Sequence, residues 1–304
     1  MTQLIDWLEK PTAQEMYMIA GWRQWADAGS VSSGLPPYLI EQMNARKIAT
    51  IRSEDFYLFQ MPGTHHLLRP VIKLEEGYPK EIRHRKNEVY YTGNSQQGLI
   101  IFTGEEPHLH IEQYVDTFFE VANTLQVKRV AMVGGIYGMV PYDKDRNVSC
   151  TYSHPYLKQQ LAEYAVSFSN YEGGVSLGSY MIAEARRFNM ESFLFYAFVP
   201  AYDLAQITGQ QGGFSIDPDY KAWYDVMKRI NHMFSLNADL SDLVNRSDQL
   251  IANIDHEVEN FDRRNPQLEV RKKLDKLAES FEENSFMPLD DVWARELGDL
   301  FGDE

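Results

Sequence analysis

The chain has 304 residues, of which 44% are apolar, and its formal net charge is −15 at pH 7. The apolar fraction can build a sizeable core, whereas the acidity argues against polyanionic partners, so we expect no binding to nucleic acid or to membranes. The chain has no run of about 20 apolar residues, so no transmembrane helix is predicted. Cys150 is the single cysteine, which excludes an intrachain disulfide and favours a cytoplasmic location.

The first two thirds of the chain alternate short apolar runs with amphipathic segments. This alternation predicts an α/β fold with a mixed, largely parallel sheet flanked by helices. Pro36 and Pro37 are expected in the first turn of their helix, where a missing N–H costs little. The basic run at residues 83–86 is expected at the tip of a hairpin. Strands are predicted at residues 16–20, 71–74, 88–91, 99–103, 129–133 and 193–199, and helices at 35–43, 111–125, 155–164 and 176–188.

After about residue 217 the pattern becomes helical. Helices are predicted at residues 219–234 and 241–261, and a third is expected to begin at Asn265-Pro266, forming a helical hairpin with the second. The predicted organisation is an α/β core domain at 1–217, a helical region at 218–284 and an acidic amphipathic tail at 285–304. On a helix the tail would place five apolar residues on one face: Leu289, Trp293, Leu297, Leu300 and Phe301. This face is predicted to dock in an apolar groove of the same subunit, of a neighbouring copy or of a client protein.

The turn after the first long strand is a candidate functional surface. It contains Trp22, Trp25, Asp27 and Gly29. Two tryptophans in one turn are unusual in a simple connection and favour an interface or ligand surface, because each has a large ring and an N–H that needs an acceptor. Asp27 has two interpretations, as a cap on the first amides of the following helix or as part of that surface.

Other loops follow predicted strands and offer little catalytic chemistry. Glu105 and Glu106, with the histidines beside them, have the side chains for metal binding or acid–base work, but one short loop supplies them all, so no metal site is predicted. Gly134 and Gly135 lack the spacing of a nucleotide-binding loop. Gly173 and Gly174 precede a helix and have two interpretations. They form either a flexible entry to a helix N-terminus that holds an anion, or a tight turn under close packing. We therefore predict no catalytic residues and no cofactor.

Five short motifs occur in order over roughly residues 15–250. They are Gly21-Trp22 with Asp27-Ala28-Gly29, Gly104-Glu105-Glu106-Pro107, residues 130–135 with Val140-Pro141, Tyr171-Glu172-Gly173-Gly174, and Val199-Pro200-Ala201-Tyr202. Together these motifs resemble the proteasome assembly chaperone 2 family. The chain departs from a Pro-His-Thr-Arg sequence found in bacterial members, since it has Pro141-Tyr142-Asp143-Lys144, so no role of that histidine or arginine transfers.

The resemblance implies a fold similar to the nucleoside phosphorylase-type α/β sandwich. It also implies a cytosolic, non-catalytic protein that self-associates, here expected as a dimer or trimer, and that binds a protein client. In eukaryotic and archaeal relatives the client is a proteasome α-subunit. The alternative is an enzyme that keeps a nucleoside- or nucleotide-type site at the carboxyl edge of the sheet. Either function would use a surface formed by Trp22, Trp25, Asp27, Gly29, Gly104, Glu105, Glu106, Gly134, Gly135, Tyr142, Gly173, Gly174 and Tyr202.

Overall fold

The computed structural model describes residues 4–63, 68–203 and 213–287, and these ranges contain twelve strands and seven α-helices. No helix in the described ranges has both the length and the apolar character needed to cross a bilayer. The strands are β1 (Ile5–Trp7), β2 (Glu15–Arg23), β3 (Arg46–Ile51), β4 (Val71–Glu75), β5 (Tyr78–Arg83), β6 (Asn87–Gly93), β7 (Gln97–Glu105), β8 (Arg129–Gly138), β9 (Val148–Tyr152), β10 (Val166–Ser167), β11 (Glu191–Asp203) and β12 (Gly213–Ser215). The helices are α1 (Val31–Gln42), α2 (Ile111–Thr124), α3 (Leu157–Ala162), α4 (Leu177–Glu184), α5 (Tyr220–Phe234), α6 (Ser241–Arg264) and α7 (Val270–Ser280).

These elements form two compact units, each assembled from segments that are separate in the sequence. The predicted domain boundaries at residues 217 and 284 stay sequence-based predictions. Unit 1 comprises Met1–Gly134, Thr151–Pro155 and Tyr171–Leu194, and unit 2 comprises Gly135–Cys150, Tyr156–Asn170 and Phe195–Glu304.

Unit 1 is built on a mixed sheet whose strands pair in the order β1-β3-β6-β7-β2-β8. Strand β2 pairs in parallel with β7, from Glu15 opposite Gln97 to Arg23 opposite Glu105, and in parallel with β8 on its other side. Because β2 has a strand on both sides, its apolar residues 18–20 are completely buried. The pairs β1–β3, β3–β6 and β6–β7 are antiparallel. The prediction of an α/β fold with a mixed sheet is confirmed.

Helix α2 covers this sheet with its aromatic side chains. Tyr114, Phe118 and Phe119 are all buried. The ring of Phe118 lies 5.4 Å from that of Trp22 and 5.0 Å from that of Phe102, the second in an edge-to-face arrangement. Aromatic pairs in this geometry contribute beyond the area that they bury. A cluster of the aromatic residues Trp22, Phe102 and Phe118 therefore lies beside the carboxyl ends of β2 and β7.

Helix α1 packs unusually close to β2. It begins at Val31, four residues before the predicted segment, so Pro36 and Pro37 lie in its second turn and the predicted first-turn position is wrong. Since proline has no N–H, the carbonyl of Ser32 loses its helical donor. A Cβ on Gly21 would lie 2.1 Å from that carbonyl oxygen. Glycine at position 21 is what allows the strand and the helix to approach this closely.

Strands β4 and β5 form a separate two-stranded hairpin in unit 1. Only β4 is predicted from the sequence, because every residue of β5 is exposed and the strand has no apolar alternation. Glu76 and Gly77 form the tip, with φ angles of 48° and 84°. The predicted placement of the basic run 83–86 at the tip is therefore wrong, since that run begins at the last residue of β5 and leads into β6.

Unit 2 contains the helices α3, α5, α6 and α7 and the strands β10 and β12. It also contains residues 135–138 of β8, 148–150 of β9 and 195–203 of β11. Helices α6 and α7 pack together and form the predicted hairpin. A short 3-10 turn at Pro266–Leu268 precedes α7, which starts at Val270. The apolar stripe of each helix contributes buried residues, namely Leu243 and Ile254 of α6 and Leu274 of α7.

A buried ion pair joins two segments of unit 2. The Nε of Arg146 lies 2.9 Å from Oδ2 of Asp219, and neither side chain has any exposed surface. Arg146 also donates from Nη1 to the carbonyl oxygens of Tyr142 (3.0 Å) and Lys144 (2.7 Å). Asp219 accepts the amide of Ala222 at 3.0 Å and so caps α5. Each buried charge is thus satisfied by several partners.

Candidate functional site

The carboxyl ends of β2 and β7 lie at one edge of the sheet in unit 1, because these two strands are parallel and paired through Arg23 and Glu105. Ligands of open α/β sheets usually bind at this edge. The register places Trp22 opposite Gly104, so two of the predicted surface residues are neighbours. Gly134 and Gly135 are buried within β8, where they form no exposed loop, and the expectation that they belong to a surface is wrong.

Trp22 also differs from its prediction, because it is a core residue of β2 with no exposed surface. Its amide donates to Oγ of Ser32 at 2.9 Å, and its indole Nε1 donates to the hydroxyl of Tyr114 at 2.8 Å. The strand continues to Arg23, three residues beyond the predicted apolar run, and the ring of Trp22 packs among the buried aromatic residues Phe102 and Phe118. Trp22 therefore packs in the core beneath the candidate edge and does not contribute to its exposed surface.

The hydrogen bond from Trp22 continues into a chain of buried polar groups. The hydroxyl of Tyr114 donates to Oδ1 of Asn87 at 2.9 Å, and the hydroxyl of Tyr57 lies 2.8 Å from the same oxygen and 2.7 Å from the carbonyl oxygen of Glu105. Burial raises the pKa of both tyrosines well above the ordinary value of 10. Near neutral pH these hydroxyls therefore stay protonated and act as structural hydrogen-bonding groups.

Glu105 and Glu106 have different partners at this edge. Glu105 forms an ion pair with Arg85. Glu106 accepts the amide of Trp25 at 3.1 Å, and its own amide donates to the carbonyl oxygen of Arg23 at 2.9 Å. These bonds hold the loop after β2 against the loop after β7. They leave the ring of Trp25 72% exposed, as the prediction of a surface role for this residue requires.

Asp27 accepts backbone amides at the start of α1. Its Oδ1 accepts the amides of Ser32 at 2.8 Å and Ser33 at 2.9 Å. Gly29 has a φ of 63°, which brings the chain round so that the carboxylate reaches these amides. The geometry fits the capping interpretation of Asp27, because the first amides of a helix have no partner within the helix.

We expect Asp27→Ala to lower the free energy of unfolding by about 0.5–2 kcal/mol, because two amides of α1 lose their acceptor. Chemical denaturation measures the change. Asp27→Asn is the matched control, since its side-chain oxygen still accepts, and it is expected to retain most of the stability. Equal losses in the two variants would contradict the capping role.

Gly173 and Gly174 lie in an exposed segment before α4 in unit 1. Ser176 caps α4 by accepting the amide of Ser179 at 3.2 Å. The amide of Gly178 donates to the side-chain oxygen of Gln24 at 3.3 Å, which ties the start of α4 to the loop after β2. The two predicted glycines therefore lie a few residues from a helix start that contacts the candidate edge.

The remaining predicted residues belong to unit 2 or to the tail. Tyr142 and Tyr202 are buried in unit 2, where Tyr142 donates to Asp255 at 2.6 Å and Tyr202 donates to the carbonyl oxygen of Val140 at 2.8 Å. Burial raises the pKa of both hydroxyls above the ordinary value, so they are structural groups as well. The predicted tail-docking residues lie outside the described residues: Leu289, Trp293, Leu297, Leu300 and Phe301.

A cavity that sequence analysis does not predict opens beside this edge. It has a volume of about 570 Å³ and is called the basic groove below. Five arginine or lysine side chains line it against three glutamates, although the whole chain is strongly acidic. Its cations come from segments that are distant in sequence, which is why no local motif indicates it: Arg23, Arg69, Arg83, Arg85 and Lys86.

The β4–β5 hairpin presents two chemically different faces. Val71 pairs with Arg83, and these residues share the face that lines the basic groove. Ile72 pairs with Ile82, and these two side chains share the opposite face, because successive residues of a strand alternate in direction. Both isoleucines are about half exposed, at 50% and 52%. One hairpin therefore carries a charged face and an apolar face.

His108 lies in the loop that follows β7. Its Nδ1 accepts the amide of Leu58 at 3.1 Å, which requires the neutral ring. Burial, reinforced by the positive charge of Arg85, lowers the pKa of His108 below its ordinary value of 6.5.

We expect an NMR titration of His108 to have its midpoint below pH 6.5, and Arg85→Gln to move that midpoint upward. The unfolded chain binds the proton at higher pH than the folded chain. The stability from neutral His108 is thus fully present above pH 6.5 and is lost as the pH falls toward the folded-state value. His108→Gln assigns the resonance, and a midpoint at or above 6.5 would show that the imidazole lies in water.

The described part of the edge offers recognition groups more than reactive ones. No group of three or more His, Cys, Asp or Glu side chains in the described ranges is arranged to hold a metal ion. The hydroxyls of Tyr57 and Tyr114 are hydrogen-bonded within the fold, whereas Arg23 and Trp25, at and just after the carboxyl end of β2, are exposed. Such side chains are enriched at protein interfaces.

Comparison with known proteins places the fold. A proteasome-assembly chaperone homologue from Mycobacterium tuberculosis is 20% identical, with a TM-score of 0.68, covering 79% of this chain and 94% of that chain. A second M. tuberculosis protein, of unknown function, is 14% identical, with a TM-score of 0.74, covering 98% and 93%. A Pyrococcus furiosus archaeal proteasome activator is 17% identical, with a TM-score of 0.58, covering 84% and 98%.

No curated protein sequence matches the chain significantly. The family description that does match is that of the PAC2 family, and it covers residues 18–258. This range contains the candidate edge, the basic groove and most of both units. Because the match extends over most of the sequence, the chain belongs to the PAC2 family.

Proposed function

We propose that the chain is a self-associating cytoplasmic protein that binds a protein client and assists its assembly, without catalysing a reaction. Similar structures include a homologue of a proteasome-assembly chaperone and a proteasome activator, so binding to other proteins is the activity that their names have in common. The observation that carries the proposal is the apolar face of the β4–β5 hairpin.

This face is difficult to explain without a partner. Ile72, Leu74, Tyr78 and Ile82 are each between 50% and 69% exposed, all within one hairpin. A two-stranded hairpin has little stability of its own in water. Contiguous exposed apolar surface on a folded protein commonly marks a site of protein association. A second copy that presents the same face would cover both patches in one symmetric contact.

The candidate edge supports binding over catalysis for a separate reason. General acids and bases work best with a pKa near the working pH, which requires a hydroxyl or carboxyl tuned toward neutrality. The pKa values of Tyr57 and Tyr114 are shifted away from neutrality, and their hydroxyl groups bond to other groups of the fold. The hydroxyl groups of Tyr57 and Tyr114 therefore support a structural role at this edge and not a role in acid–base catalysis.

Light scattering after size-exclusion chromatography tests self-association. We expect a particle mass that is a multiple of the single-chain mass of 35.2 kDa at micromolar concentration. Ile72→Ser combined with Ile82→Ser should shift the particle toward the single-chain mass, because the contact loses its apolar centre.

The matched control combines Leu8→Ser with Val175→Ser, which removes two exposed apolar side chains of unit 1 that lie outside the hairpin. The control should keep the mass of the unmodified protein. A single-chain mass for the unmodified protein would overturn self-association. An unchanged mass in the isoleucine variant would show that the hairpin face is not the contact.

A further inference from the structure

The basic groove has cations without partners. Arg69 is engaged with Gln60, and Arg85 is paired with Glu105. The side chains of Arg23 and Lys86 make no hydrogen bond or ion pair with any residue in the described ranges. Unpaired cations at a concave surface attract an anionic partner, and guanidinium groups suit carboxylates in particular. The groove therefore has the electrostatic character of a site for acidic groups.

A second cavity continues the basic groove and is much less polar. It has a volume of about 370 Å³ and is called the apolar groove below. The two cavities share the lining residues Pro70, His84 and Arg85. The apolar part of its lining is contributed by Tyr57, Leu58, Phe59, Leu68 and Pro70. The charged part includes Glu54 and the ion pair between Arg52 and Asp6. A ligand that fills both cavities needs apolar side chains beside a row of negative charges.

The chain contains one segment of this chemistry. Residues 288–304 carry six acidic side chains against a single arginine, together with the five apolar residues predicted to share one helical face. On a helix, Asp291 and Asp299 lie on the side opposite the apolar side chains. Glu296 lies at the border of the apolar face, and Asp290 lies within it. Both properties match the paired cavities, since the apolar face suits the apolar groove and the carboxylates suit Arg23 and Lys86.

We propose that the paired basic and apolar grooves of unit 1 bind the acidic C-terminal segment, residues 288–304, of a second copy of the chain. This inference rests on the proposed self-association and names a contact that would strengthen it. A short helix is marginal in water and gains stability by docking its apolar face. Carboxylates at the basic groove would fix the direction in which the segment binds, because charge complementarity selects orientation.

Fluorescence anisotropy with a labelled peptide of residues 286–304 tests the groove directly. The receptor is the full chain with Asp290→Asn, Asp291→Asn, Glu296→Gln and Asp299→Asn, so that its own segment competes weakly. We expect this receptor to bind the peptide, and binding to weaken as the salt concentration rises. Adding Arg23→Glu and Lys86→Glu to the receptor should weaken binding at least about tenfold.

Arg46→Glu with Arg187→Glu is the matched control, because it makes the same change in charge at exposed positions that do not line either groove. It should leave the affinity unchanged. A scrambled peptide of the same composition that binds equally well would overturn the proposal, since it would show general attraction of acids. If no peptide binds while the unmodified chain still has a multimeric mass, this inference fails and the proposed function survives.

Cross-linking identifies the copy that supplies the segment. A chain with Lys86→Cys is mixed with a chain carrying Asp291→Cys, and a short thiol-specific linker is added. The native Cys150 is buried, and the unmodified chain serves as the background. We expect a product of twice the single-chain mass only in the mixture. Absence of that product, with an intrachain link in a chain that carries both cysteines, would overturn docking on a second copy.

Discussion

Arg146→Met is expected to lower the free energy of unfolding by about 3–5 kcal/mol, the cost typical of breaking a buried ion pair from one side. The variant keeps an unbranched apolar stem of similar shape but leaves the Asp219 carboxylate buried without its cation. It also leaves the carbonyl oxygens of Tyr142 and Lys144 without a donor. Urea denaturation followed by circular dichroism measures the loss.

The control for this prediction is Arg263→Met, which removes an exposed arginine of α6 that lies 3.6 Å from Glu259. Exposed pairs contribute little, so we expect a change below about 1 kcal/mol. Arg146→Met combined with Asp219→Asn should recover part of the stability, because the uncompensated buried charge is then gone. Similar losses for Arg146→Met and the control would refute the role given to the buried pair.

Gly21→Ala is expected to cost at least about 3 kcal/mol, at the upper end of the range for overpacked cores. Its Cβ would lie 2.1 Å from the carbonyl oxygen of Ser32 and 2.7 Å from Cγ of Pro36. A backbone oxygen in a proline-containing helix has little freedom to move, so the helix itself would have to shift away from β2. Thermal denaturation, with expression yield as a second readout, measures the effect.

Gly174→Ala is the matched control, because no heavy atom lies within 4 Å of the position that its Cβ would take. We expect it to be neutral or slightly stabilising, since alanine restricts the unfolded chain. If Gly21→Ala were as stable as Gly174→Ala, the close approach of α1 to β2 would be incorrect.

The sheet of unit 1 could be predicted from sequence where local pattern and burial agree. Strands β2 and β7 are continuous apolar runs because they are flanked on both sides, and α2 shows one apolar face because it covers them. Strands β1 and β5 could not be predicted in this way. Only Ile5 is buried in β1, and no residue of β5 is buried, so pairing with a neighbour decides their structure.

The candidate site was predicted only in part, for a related reason. The shared edge follows from the rule that parallel strands end together, and Asp27 follows from local capping chemistry. Trp22 was misplaced because its burial depends on Tyr114, which is 92 positions away in the sequence. The basic groove combines Arg23 with residues 69–86, and no window of sequence contains both.

The β4–β5 hairpin, with its charged face and its apolar face, lies in the chain between the end of β3 and the start of β6. Strands β3 and β6 are adjacent antiparallel partners. The hairpin is therefore an insertion between two paired strands. Without it, the end of β3 and the start of β6 would still be adjacent, as in an ordinary antiparallel pair. Phe56 and Tyr57 are its anchors, as they lie in the core and in the buried hydrogen-bond chain. Under the proposed function, we expect exchange of residues 58–86 between family members to exchange the partners that they bind, while β3 and β6 keep their pairing register.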